Sequence, residues 1–166
     1  MIILSFDVGI KNLAYCMIDS EDNSILDWDV LDCTSTNPTL KILEEFDQLP
    51  QLLDADVVLI EKQPSFNPKM RIISNTLYVY FTLRVKHEAS RNIKIEYYSA
   101  KHKLRCCDIT EVFKTKSKYR QNKKLGIIHT THLIKTHQDF FEKSKKKDDL
   151  ADCYLQALSY VMFFMK

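Results

Sequence analysis

The sequence predicts an α/β protein in which a three-strand antiparallel meander is followed by parallel strands with flanking helices. Three observations predict it. Apolar runs at residues 2–8 and 13–18 and an alternating segment at 26–30 follow one another with short connections, as antiparallel neighbours do. An unbroken apolar stretch at 57–60 reads as a central parallel strand, and a long segment of helical periodicity follows it. A last apolar helix then begins near Lys147, completing a β-α-β-α order after the meander.

Taken in order, the first two strands are joined by a turn at which Gly9 supplies permissive dihedrals. A polar turn at 20–24 precedes Leu26, Trp28 and Val30, which alternate with Asp27 and Asp29 and predict a strand with one wet face. Asn37-Pro38-Thr39 starts a helix with Leu40, Leu43 and Phe46 on its stripe, ending near Leu49-Pro50. The strand at 57–60 ends in Glu61. Asn67-Pro68 caps a helix reaching about Glu88, with Ile73, Leu77, Tyr80, Phe81 and Val85 apolar. Residues 93–98 form a fifth strand, basic helical material follows, and the final helix buries Leu150, Tyr154, Ala157, Leu158, Val161 and Met165.

At 166 residues the chain suits one domain spanning 1–166, and two glycines and four prolines exclude a linker-rich or collagenous protein. The net charge of +2 conceals a division along the chain. Residues 101–147 hold fourteen Lys/Arg against four Asp/Glu, a net of +10, and the remainder carries −8. Such a basic third is the footprint of a phosphate-backbone binder, or a solvated helical surface. Lys101, Lys114, Lys116, Lys118, Arg120, Lys123 and Lys124 are its candidate contacts, joined by Lys69 and Arg71 on the long helix. Phe113 and Tyr119 stand among them, placed for core packing or for stacking on unpaired bases.

Five cysteines without a C-x-x-C pair point to free thiols in a reducing, intracellular compartment. The five histidines show no zinc-ligand spacing, and His129 and His132 read as helix-surface residues. No signal peptide or membrane span is indicated.

The chemistry concentrates in carboxylates. Asp7 and Glu61 each end an apolar strand, and the crevice of an open α/β sheet lies beyond the carboxyl ends of its parallel strands. Asp149 and Asp152 stand three residues apart on one face of the last helix, although Asp148 and Asp152 satisfy the same geometry. Each acid has a plainer role open to it: Asp7 as a turn former, Glu61 as a solvated strand end, and the helix acids as partners of the macrodipole. Four acids converging from three elements, however, repel one another unless cations offset them. Hard divalent ions such as Mg²⁺ favour carboxylate oxygens, and two of them about 4 Å apart support phosphodiester hydrolysis.

Four blocks, Phe6-Asp7-Val8-Gly9-Ile10-Lys11-Asn12, Ile60-Glu61-Lys62-Gln63, Ser99-Ala100-Lys101-His102-Lys103 and Asp148-Asp149-Leu150-Ala151-Asp152-Cys153, resemble in order those of RuvC-like Holliday-junction resolvases. The likeness is strongest to the poxvirus-type resolvases of large DNA viruses, and it spans nearly the whole chain. It implies an RNase H-like fold, a homodimer using the helix at 67–88, and paired nicks in four-way and other branched DNA. It further implies Asp7, Glu61, Asp149 and Asp152 as ligands to two Mg²⁺ ions, which Mn²⁺ can replace, and Lys103, rather than Lys101, as the catalytic lysine. A poxvirus-like protein would act at the cytoplasmic site of viral replication, without a nucleotide cofactor. Lys62 after the glutamate and Asn12 in the first turn depart from the bacterial branch, so bacterial sequence preference does not carry over. Two other readings use the same residues. One is an RNase H-like nuclease for RNA/DNA hybrid or other branched substrates. The other is an actin-like nucleotide-binding module, which needs more glycine-rich loops than Gly9 and Gly126 can build.

Overall fold

β1 (Ile2–Val8) lies at the centre of the five-stranded sheet, whose order is β3-β2-β1-β4-β5. The fold is a computed structural model, which describes residues 1–106 and 117–165. β1 pairs antiparallel with β2 (Asn12–Asp19), which pairs antiparallel with β3 (Ile25–Asp32). On its other side β1 runs parallel to β4 (Val57–Glu61), and β4 runs parallel to β5 (Lys94–Tyr98). The meander and the parallel half therefore meet at β1.

The pleat sends alternate residues to two cores. Leu4, Phe6, Val8, Val58 and Ile60 pack beneath α1 (Pro38–Asp47) and α2 (Pro68–Phe81), which continues as a π-helical turn over Thr82–Glu88. Ile3, Cys16, Trp28, Val57 and Leu59 face α5 (Lys147–Phe164). Asp7 and Glu61, one step beyond Phe6 and Ile60, share the α5 face by the same alternation. α3 (Lys118–Leu133) and the short α4 (Gln138–Lys143) pack on α5 from outside the sheet. Among the described residues no helix is long and apolar enough to cross a membrane.

Both Asn-Pro starts are realised. The Asn37 and Asn67 side chains accept from the N–H groups of Leu40 and Met70, with Pro38 and Pro68 in the first turn. Other expectations shift. On α1 Phe46 is buried and Leu43 packs partly buried as expected, but Ile42 is buried in place of Leu40, which is exposed. Leu26 is the extra residue of a bulge: Ile18 faces Ile25 and Met17 faces Asp27, so Leu26 turns outward while Trp28 and Val30 keep the core side. α5 is buried over most of its circumference, including Ala151, Cys153, Leu155 and Gln156, because the sheet, α3 and a 3₁₀ turn at Ala100–Cys106 enclose it. Gly9 has no positive φ; it is required because a Cβ there would run into the Asn12 carbonyl oxygen. His129 is buried rather than on the helix surface, since its face of α3 turns inward, while His132 is exposed. Cys16, Cys33 and Cys153 are buried free thiols, and Cys106 is buried as well.

Candidate active site

Lys103 organises the site. The 3₁₀ turn after β5 carries its side chain inward, where only 4% of the residue remains exposed. Its ammonium donates to Asp7 Oδ1 at 2.9 Å and Glu61 Oε1 at 3.0 Å, and Asp152 Oδ2 lies 3.4 Å away. Three acids from β1, β4 and α5 thus converge on one cation. Gln63 adds a donor from Nε2 to Glu61 Oε2 at 3.1 Å, and the same amide reaches the Glu61 carbonyl. Lys101, two residues earlier, is exposed on the outer side of the turn.

Electrostatics follows from burial. Desolvation pushes the Asp7 carboxyl up to about 6, and Glu61 adds to the rise while Lys103 opposes it. Burial by itself would favour neutral Lys103, but the charges of Asp7, Asp152 and Glu61 outweigh it and hold the ammonium firmly protonated. Asp152 is also raised by burial against the pull of Lys103. Burial, with Asp148 and Asp7 nearby, brings Asp149 to about 6, so Asp149 belongs to the same field although it does not touch Lys103. A carboxyl held at about 6 against an ordinary 3.8 keeps its proton more tightly folded than unfolded, so its contribution to stability is intact below 3.8 and is lost as pH rises to 6. In chelator the protein is therefore expected to melt at a higher temperature at about pH 5 than at pH 7, measured by calorimetry; the opposite order would contradict the placement of Asp7 and Asp149.

Asp148 differs from its neighbour. Lys123, from α3, forms a close ion pair with Asp148 Oδ2, lies 4.0 Å from Asp149 Oδ1, and stands over the Tyr119 ring at 5.3 Å. Although burial opposes it, this pair holds the Asp148 carboxyl below its usual range. The two neighbouring acids thus differ in their surroundings, Asp148 being the closer partner of Lys123. Lys123 faces α5, whereas Lys69, Arg71, Lys101, Lys118, Arg120 and Lys124 are exposed. Lys114, Lys116 and Phe113 lie outside the described residues. Tyr119 is 67% exposed, which removes the core-packing alternative for it.

Sequence reasoning did not single out the residues that brace this site. Trp28 Nε1 donates to the Leu150 carbonyl at 3.2 Å in the first turns of α5. Gln156 reaches β1 beside Asp7. A lone amide within an apolar helix was the available signal for Gln156; no local signal marks Trp28.

A family model described as Poxvirus A22 protein matches residues 1–163. The chain belongs to that family. An uncharacterized protein, L451, of Acanthamoeba polyphaga mimivirus is 37% identical over 139 residues, covering 76% of this chain and 34% of its own length. The chain thus spans about a third of that curated relative. Over the full length of both chains, it superposes with a TM-score of 0.64 and 26% identity on the Fowlpox virus resolvase solved with substrate Holliday junction DNA. Thermus thermophilus RuvC gives a TM-score of 0.66 at 13% identity, covering 98% of this chain and 95% of that one, a likeness of fold alone. The fold is accordingly that of the RuvC-like resolvases, the RNase H-like arrangement implied by the sequence blocks.

Proposed function

We propose that this chain is a Holliday-junction resolvase, a divalent-metal-dependent endonuclease that makes paired nicks in four-way and related branched DNA. The observation that carries the reading is the convergence of Asp7, Glu61 and Asp152 on one buried cation at the carboxyl ends of β1 and β4. Family membership and the full-length likeness to a resolvase solved with its junction support the substrate.

The donor set fits Mg²⁺ or Mn²⁺. Among the described residues no three His, Cys, Asp or Glu side chains form a ready-made metal cage, and the Lys103 ammonium lies against three of the acids. These donors are carboxylate oxygens, which hard cations prefer, and their number leaves more negative charge than one lysine offsets. Asp7, Glu61, Asp149 and Asp152 are the residues that would hold the metal. Two divalent ions held by these carboxylates would supply activation of water and stabilisation of the leaving oxygen in an in-line displacement. Lys103 adds a fixed positive charge where charge develops on the phosphate. Lys101, Lys118, Arg120 and Lys124, together with Lys69 and Arg71, supply contacts that position the DNA backbone without reading its sequence.

The assembly that suits symmetric cutting is a two-fold dimer. Ile72, Val79 and Leu83 on α2 and its extension are each at least half exposed, and they line a groove of about 590 Å³ beside Leu43 of α1. An apolar strip of this kind supports the homodimer. The single domain would act where viral DNA is replicated in the cytoplasm.

The deciding experiment maps cuts on each strand of a labelled four-way junction in Mg²⁺, beside linear duplex and an RNA/DNA hybrid. Symmetric nicks confined to the junction are expected. Cutting mainly of the hybrid would replace this reading with an RNase H-type substrate.

A further inference from the structure

We propose that Gln156 is a positioning residue that sets α5 against β1 so that Asp152 and Asp7 face the same point. The proposal rests on the carboxylate site described above and concerns how this chain builds it.

Gln156 is fully buried, in a stretch of α5 where Leu155, Ala157 and Leu158 surround it with apolar neighbours. Its Nε2 donates to Ser5 Oγ at 3.0 Å and to the Phe6 carbonyl at 3.1 Å. Phe6 is the residue before Asp7, and Gln156 lies one turn beyond Asp152 on the same face of α5. One amide therefore joins the backbone beside one acid to the helical turn after another.

The bond is costly if packing is its whole purpose. Gln156 Oε1 has no hydrogen-bond partner among the described residues, and a buried unpaired acceptor is destabilising. An apolar side chain of the same length would avoid that cost. It would not fix the helix, because apolar contact is non-directional and tolerates axial sliding or rotation. A hydrogen bond needs both distance and angle, and a metal-binding constellation must be held to about 0.5 Å. Other polar ties also hold α5, among them Trp28 Nε1 to the Leu150 carbonyl and the Tyr98–Ser159 hydroxyl pair at 3.0 Å. They act on β3 and β5; Gln156 alone of these three grips β1, the strand that carries Asp7.

The test compares wild type, Gln156→Met, Ser5→Ala and Tyr98→Phe in the full chain. Mn²⁺ affinity is read by titration calorimetry, melting temperature in chelator, and junction cleavage as kcat and KM. Gln156→Met is expected to weaken Mn²⁺ binding and lower kcat by about 10–100-fold, the usual range for groups that orient metal ligands. Its melting temperature and KM should stay near wild type. Tyr98→Phe, which frees a tie to β5, should leave Mn²⁺ affinity unchanged. Wild-type Mn²⁺ affinity in Gln156→Met, or an equal loss in Tyr98→Phe, would overturn the proposal. Should Gln156→Met fail to fold, Ser5→Ala decides: a severalfold weaker Mn²⁺ affinity supports the positioning role and an unchanged one overturns it. A wild type that binds Mn²⁺ but leaves the junction uncut would refute the substrate reading, with the Mn²⁺ comparison still deciding Gln156. A wild type that takes up no Mn²⁺ would refute both.

Discussion

Asp7→Asn is expected to reduce junction cleavage by about 10³-fold or more while leaving junction affinity within about twofold. The substitution keeps the shape of the side chain and removes one of the negative charges that the site needs to hold a divalent ion, whose loss forfeits several kcal/mol of transition-state stabilisation. At about 1.4 kcal/mol per decade, three decades is the lower end of that range. Affinity should persist because the exposed cations, Lys118, Arg120 and Lys124 among them, stand on α3 rather than on β1. Fold stability should persist or rise. Ionised Asp7 is held against burial, as its shift to about 6 shows, so replacing it removes a desolvation cost that is present at pH 7. Cleavage at the wild-type rate, or a loss of binding equal to the loss of cleavage, would remove Asp7 from the metal site.

Much of this site was legible because its signals are local. An apolar strand ending in an acid is visible in Phe6-Asp7 and in Ile60-Glu61, and the alternation of the pleat then decides that both acids face α5. The Asn-Pro starts of α1 and α2 were equally legible, since an N-cap and the proline after it act within one turn. What escaped depends on partners far along the chain. Leu26 follows the alternating pattern but is pushed outward by a bulge that exists only because β2 sits opposite. The face of α1 that turns inward, and leaves Leu40 exposed, is set by its partners α2 and Phe6 of β1, not by the helix itself. Lys123 resembles its basic neighbours in sequence, yet its ammonium is committed to Asp148, 25 residues away. The same pair gives Asp148 different surroundings from Asp149, two acids that i,i+3 and i,i+4 spacing treats alike. Gln156 is the extreme case, since its partners Ser5 and Phe6 lie at the other end of the chain.

Lys103→Ala is expected to destabilise the metal-free protein by about 3–5 kcal/mol, the usual cost of removing one partner from a buried ion pair. The wild-type ammonium sits within 3.4 Å of oxygens from Asp7, Glu61 and Asp152, so truncation leaves three partly buried acids facing one another without their common cation. Two things can relieve them. One is protonation: burial already pushes the Asp7 carboxyl up to about 6, so the deficit should be smaller at pH 5 than at pH 7. The other is a divalent cation, so millimolar Mg²⁺ should recover much of the lost stability and should stabilise this variant more than it does wild type. Lys101→Ala is the matched control, because that side chain is exposed and its loss should fall within about 0.5 kcal/mol. Urea unfolding of both variants in chelator and in Mg²⁺ separates these outcomes, and equal midpoints for the two variants in chelator would sink the assignment. Cleavage gives the complementary readout. Lys103→Ala should lower kcat at unchanged junction affinity, because its charge acts on the phosphate during reaction. An activity loss confined to Lys101→Ala would instead place the working cation on the outer side of the turn, two residues from the carboxylates' partner.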